Sequence, residues 1–94
     1  MKVNPMEVER VLAQHPGVAE CAVVPVAVSQ TLSRVTAYYV PADQQNPPSA
    51  SELRKHARQR LAGYKVPRVF RSIDQLPRSS LGKVLRARLA ELNA

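Results

Sequence analysis

Cysteine occurs once in this chain of 94 residues, and tryptophan does not occur at all. A lone Cys21 cannot close an internal disulfide; set in an apolar run, it reads as a reduced, buried small hydrophobe, which fits a reducing compartment. Only four residues are aromatic, Tyr38, Tyr39, Tyr64 and Phe70, so the core must be built mainly from valine, leucine and alanine. No stretch approaches the roughly 20 apolar residues that span a bilayer, and the N-terminus lacks a charged-then-apolar signal pattern. The expectation is a soluble, cytoplasmic protein with no membrane partner. There is no internal repeat and no low-complexity tract. The length bounds the chain to one small domain, and an apolar content of 45% is ordinary for a packed core and argues against disorder.

Negative charge is scarce in the second half. Residues 1–50 carry three basic and four acidic side chains, a net of −1, whereas residues 51–94 carry eleven and three, a net of +8. Such a block favours an anionic partner. Nucleic acid is not expected to be that partner, because the basic residues are not interleaved with exposed aromatics, and no helix-turn-helix, zinc or RNA-recognition signature is present. A phosphate-bearing small molecule or an acidic carrier protein satisfies the same field.

The local patterns divide the chain cleanly. Asn4 as N-cap, Pro5 at the first helical position and Glu7 completing a capping box predict a first helix with Val8, Val11 and Leu12 on its apolar side, ended by His15-Pro16-Gly17. Val18 to Val26 reads as a strand, with Pro25 at its end or on an edge. Arg34 to Val40 reads as its antiparallel partner, with Val35, Ala37 and Tyr39 on one face. After a proline-rich loop, Ser49 and Glu52 repeat the capping pattern. Leu53, Ala57 and Leu61 then form the stripe of a second helix whose other faces carry Arg54, Lys55, His56, Arg58 and Arg60. Val69 to Ile73 is a short third strand, and Leu85, Leu89 and Leu92 mark the core side of a last helix. The fold class is therefore α+β: a small three-stranded, mostly antiparallel sheet packed with about three helices. His15 and His56 read as structural, since neither has Cys, Asp or Glu in ligand spacing, and no metal site is expected.

The most informative segment is Pro77-Arg78-Ser79-Ser80-Leu81-Gly82-Lys83-Val84-Leu85-Arg86. It sets a lysine behind a glycine, after a hydroxyl-rich loop and at the head of a basic amphipathic stretch. Gly82 permits a tight turn or close approach to a ligand, and Lys83 supplies a compact mobile charge suited to a phosphate oxygen. A solvated surface lysine is the plainer alternative. Two further segments bear on it: Val3-Asn4-Pro5-Met6-Glu7-Val8-Glu9 and Leu61 to Pro67, which includes Tyr64-Lys65-Val66-Pro67. In order and spacing the three resemble the "V-x-P-x-E-V/I-E", "L-x-x-Y-K/M-V-P" and "P-x-T/S-x-x-G-K" stretches of the C-terminal domain of the adenylate-forming ligase superfamily, which comprises acyl-CoA and aryl-CoA synthetases, nonribosomal peptide synthetase adenylation domains and luciferases. The resemblance extends over essentially the whole chain.

That resemblance implies a role for each segment. Residues 1–94 would form a single C-terminal lid of an AMP-forming acid–thiol ligase. The lid would act with a large nucleotide-binding N-terminal domain, in cis or in trans, that holds most of the ATP and Mg2+. The acid would be a carboxylic or amino acid, and the thiol acceptor CoA or a carrier-bound phosphopantetheine, with an acyl or peptidyl carrier protein as a further partner. Lys83 takes the catalytic position; Gly82, Ser79, Ser80 and Arg86 lie near substrate or nucleotide; Val3, Asn4, Pro5, Tyr64 and Lys65 are candidates for the thiolation channel or the interdomain contact. The family's hinge residue, glycine-rich hairpin and Ser/Thr/Gly-rich phosphate loop are absent here, so the isolated chain is expected to be inactive, whether it is an excised domain or a separate subunit. The connection from Ala27 to Ser33 also lacks the Gly and Asp common in the family. A second function class remains: a non-catalytic module that docks its basic half on an acidic carrier protein or a ligase. A third is a small nucleic-acid-binding protein.

Overall fold

The computed structural model describes residues 3–27 and 33–92. The order is α1 (Pro5–Ala13), β1 (Val18–Ala27), β2 (Ser33–Pro41), α2 (Ala50–Arg58), a 3-10 turn at Gly63–Lys65, β3 (Val69–Ser72) and α3 (Arg86–Leu92). Each element predicted from the sequence is present. The connection 28–32 and the side chain of Leu92 lie outside the described residues.

Both N-terminal caps form. Asn4 takes an extended conformation and its side-chain oxygen accepts the Met6 N–H at 3.0 Å, while the Ser49 hydroxyl accepts the Glu52 N–H at 3.1 Å. Such caps contribute about 1 kcal/mol each. The glutamates of the expected capping boxes have other partners: Glu7 pairs with Lys65 and Glu52 with His15, each at 2.8 Å. An ion pair to Lys65 and a hydrogen bond from His15 thus engage carboxylates that sequence spacing alone assigns to their own helix ends.

β2 is central, flanked by β1 and β3. β1 and β2 pair antiparallel over nine positions, with a register shift between Val18 and Glu20; β2 and β3 pair parallel over four. The parallel pair requires a crossover, which α2 supplies. Pro25 sits on the edge strand, as expected, although the strand continues to Ala27.

The sheet is covered on both sides. Val23, Val35 and Ala37 pack with Val3, Val8 and Leu12 of the α1 region and with Ala57 and Leu61 at α2. Ala22, Val24, Tyr38 and Val40 pack on the opposite side with Leu76 and Leu89 of the C-terminal segment. The face predicted for β2 is therefore only half of its buried surface: every described side chain from Val35 to Pro41 is buried. Val8, Leu53, Ala57 and Leu89 are wholly inaccessible. The apolar stripe of α2 is as predicted, but the helix ends at Arg58, so Leu61 reaches the core from the turn beyond it.

The two histidines meet at the junction of α1 and α2, with edge-to-face rings 5.2 Å apart. His15 Nδ1 accepts the Gly17 N–H at 2.9 Å, so Nε2 carries the proton toward Glu52. His56 Nε2 faces the Val11 carbonyl at 2.8 Å and must donate. Both rings thus tie one helix to another.

Candidate functional site

The Lys83 loop is a short hairpin on the outside of the sheet. Arg78 and Val84 form an antiparallel bridge at its base, and the Leu85 N–H donates to the Pro77 carbonyl at 2.8 Å. Ser79 organises the tip. Its N–H donates to the Lys83 carbonyl at 2.8 Å, its carbonyl accepts from Gly82 at 2.9 Å, and its hydroxyl accepts the Leu81 and Lys83 N–H groups at 3.3 Å each. Gly82 has φ +86°, the left-handed region that favours glycine. The glycine is thus required by the turn itself, and Ser79, grouped with the substrate-proximal residues on sequence grounds, makes these hydrogen bonds within the loop. Ser80 is exposed, as is Leu81 beside it, at 94%.

Three cations belong to this segment, and they have different surroundings. Arg78 donates one nitrogen to the Gly82 carbonyl at 2.8 Å and the other to the Glu20 carboxylate on β1. Arg86 donates to both oxygens of Glu9 on α1, at 2.8 and 3.0 Å. Lys83 is exposed, and its ammonium has no ion pair or hydrogen bond among the described residues. The loop therefore holds a fixed backbone and presents one free, flexible positive charge. Arg86, grouped with the nucleotide-proximal residues on sequence grounds, is engaged in joining α3 to α1.

The remaining candidates gather at the start of α1. Val3 is buried in the same cluster as Val66, Asn4 caps the helix and Pro5 begins it. Tyr64 is half exposed, while Lys65 pairs with Glu7. The hydrogen bond that the ammonium donates to that carboxylate pushes the lysine above its ordinary pKa. Glu7 and Glu9, two residues apart on one helix, project to different sides, so Glu7 reaches the Tyr64-Lys65 segment and Glu9 reaches Arg86. The acidic pair of the first segment physically connects the other two. Sequence reasoning missed Glu9, Glu20 and Arg78 in these roles; the available signal was that Glu9 and Arg78 lie inside the shared motifs.

Glu9 also accepts the Val23 N–H at 2.8 Å, and its backbone carbonyl accepts the Cys21 thiol at 3.3 Å. Burial, and then the Glu9 charge, push the Cys21 thiol up to about 12. It is therefore expected to resist a disulfide reagent at pH 8 while the chain is folded and to react promptly in denaturant. Fast labelling of the native domain would contradict this. The folded thiol keeps its proton where the unfolded one, near 9, loses it, so this group lowers stability as pH rises from about 9 to about 12.

A second surface is basic. Arg54, Arg58 and Arg68 line an open cleft of about 450 Å³ together with Gly63, Val66 and Pro67. Arg54 is partly structural, since it donates to the Arg68 carbonyl at 3.2 Å and lies 5.5 Å above the Phe70 ring. Among the described residues no group of three His, Cys, Asp or Glu side chains is placed to hold a metal ion, and the cationic loop does not suit Mg2+. No helix there is long and apolar enough to cross a membrane.

Comparison with known proteins bears directly on this arrangement. The profile of the family described as AMP-binding enzyme C-terminal domain matches residues 7–83, from the first glutamate of α1 through Lys83. This chain belongs to that family. Among its relatives, the AMP-binding C-terminal domain described here is 41% identical over 87 residues to the 2-succinylbenzoate–CoA ligase of Bacillus licheniformis, covering 93% of this chain and 18% of that protein. It is also 41% identical over 91 residues to a long-chain-fatty-acid–CoA ligase of Escherichia coli O157:H7, covering 95% and 16%. Among solved structures, the o-succinylbenzoate CoA synthetase of Bacillus subtilis in complex with its acyl-adenylate intermediate superimposes with a TM-score of 0.84 at 39% identity, covering 95% of this chain and 18% of that one. A Mycobacterium tuberculosis fatty acyl CoA synthetase gives 0.86 at 32%, covering 98% and 18%. The chain thus spans less than a fifth of the length of these relatives.

Proposed function

We propose that this domain is the mobile lid of an ATP-dependent, AMP-forming acid–thiol ligase, and that Lys83 is its catalytic residue in acyl-adenylate formation. The observation that carries the reading is the contrast within one loop: both arginines are held by carboxylates, whereas Lys83 stands free on a backbone fixed from both sides. In the first half-reaction a carboxylate oxygen of the acid attacks the α-phosphorus of ATP, the bond to the bridging oxygen breaks, and pyrophosphate leaves with the electron pair. Two anions must approach, and an ammonium between them offsets the repulsion and the charge on the transferring group. In the second, a thiol sulfur attacks the acyl carbon, loses its proton, and AMP departs. The lid would turn away between steps and exclude water from the adenylate while closed.

A large nucleotide-binding domain, ATP with its Mg2+, and a carboxylic acid are the partners of this reading. The relatives named as CoA ligases support CoA as the thiol acceptor. Gly82, Ser79 and Ser80 would shape the loop around Lys83, while Val3, Asn4, Pro5, Tyr64 and Lys65 would border the thiolation channel or the interdomain contact. The 94-residue domain alone is expected to fold and to give no carboxylate-dependent exchange of pyrophosphate into ATP, whereas the ligase containing it should exchange. Robust exchange by the purified domain would defeat the two-domain reading.

The cleft lined by Arg54, Arg58 and Arg68 favours a second reading, docking of an acidic carrier protein. Because Arg54 also supports β3, the cleaner variant is Arg58→Glu with Arg68→Glu, two exposed cations that line the cleft. It should weaken carrier binding while leaving the melting temperature nearly unchanged. Unchanged binding measured by titration calorimetry would exclude this face as a docking surface.

A further inference from the structure

The peptide unit that joins Gly82 to Lys83 is gripped at both of its polar atoms. Its carbonyl accepts from Arg78 at 2.8 Å, and its N–H donates to the Ser79 hydroxyl at 3.3 Å. Ser79 belongs to the loop and moves with it. Arg78 is different, because its second nitrogen reaches the Glu20 carboxylate on β1, 58 residues away in sequence. A planar guanidinium can serve both acceptors at once, whereas an ammonium at this position would lack the fork. The pair is about two-fifths exposed on each side, so its contribution to overall stability is small. Its geometric effect is larger: it couples the peptide that carries Lys83 to an edge strand of the sheet.

We propose that Arg78, oriented by Glu20, is a positioning residue that holds Lys83 at the angle needed for adenylate formation. The inference rests on the role given to Lys83 above. A flexible lysine stem swings about its own Cα, so its reach is set by where that Cα is fixed. Releasing the Gly82 carbonyl from the sheet lets the loop pivot about its base at Arg78 and Val84, and an ångström-scale displacement of a catalytic charge is costly. Arg78 touches no substrate in this account and acts only through Lys83.

The test uses the complete ligase and four variants: Arg78→Met, Glu20→Gln, Lys83→Ala and the double Arg78→Met/Lys83→Ala. Arg78→Met should lower kcat for adenylate formation about tenfold, with the KM for ATP nearly constant. It should leave thioester formation from supplied acyl-adenylate within about twofold and lower Tm by about 5 °C or less. Glu20→Gln, which leaves the Gly82 contact in place, should lose less. The double variant should be no slower than Lys83→Ala alone, since a residue acting only through Lys83 has nothing left to position. Multiplying losses in the double variant, equal losses in both half-reactions, or a collapse of Tm would overturn the proposal and make Arg78 a fold or substrate residue. If Lys83→Ala cripples adenylation and Arg78→Met does not, this inference alone falls. If Lys83→Ala has no effect, the reading of Lys83 falls and takes this one with it.

Discussion

Lys83→Ala, introduced into the ligase that contains this domain, is expected to slow acyl-adenylate formation by a factor of about 10²–10³, comparable to the loss of one preorganised electrostatic donor. Folding should be nearly unaffected, because the side chain is exposed and unpaired among the described residues. The loop conformation does not depend on it either: the hydrogen bonds at position 83 use its N–H and carbonyl. Thioester formation from an adenylate supplied ready-made should be largely spared, since the lid has turned by then. Lys83→Arg is expected to rescue little, because a wide planar fork cannot occupy the point between two anions that an ammonium can. Both half-reactions are measured for each variant at matched melting temperature. Equal losses in both steps would assign Lys83 to the domain interface, and no loss in either would leave it a solvated lysine.

The second large effect is expected at Leu89. This residue is fully buried against Ala22, Val24, Tyr38, Val40 and Leu76, and it anchors a helix of only seven residues. Leu89→Ala should cost about 2–5 kcal/mol, a large part of the 5–14 kcal/mol or so that a domain of this length has in total. A helix this short is not stable without its packing. Residues 77–92 should therefore loosen first, freeing amide protons there to exchange well before those of β2. Adenylation should fall with the melting temperature, since Arg86 and the Lys83 loop leave their places together. Uniform exchange across the whole domain would show that α3 unfolds only with the sheet. Unchanged stability would show that the site relaxes around the smaller side chain.

Much of this was legible in the sequence because it depends on neighbours in the chain. Asn4 and Ser49 cap helices from within four residues, Leu53 and Ala57 share a stripe by helical period, and Gly82 permits a turn through its own backbone. Lys83 was singled out by its motif, and the structure places it, exposed, at the end of the ordered turn. The partners of the charged residues were not legible. Glu7 and Glu52 read locally as capping-box acids, yet they bind Lys65 and His15 across the fold. Arg86 read as nucleotide-proximal and is held by Glu9, and Arg54 read as one of several cations on the polar faces of α2 and lies over Phe70. A long charged side chain can reach any acceptor within its span, and sequence spacing ranks only those on its own element.

The sequence by itself determined the α+β class, the order of the elements, the apolar positions and the lysine-bearing loop, because helical and strand periods and turn chemistry are local properties of the chain. Tertiary structure alone decided that β3 runs parallel to β2, that β2 is buried on both faces, and that Glu9 and Glu20 hold the two arginines flanking Lys83. Strand direction follows from the path of the crossover and ion pairing from distances closed over as many as 77 residues, and neither is encoded in any one segment.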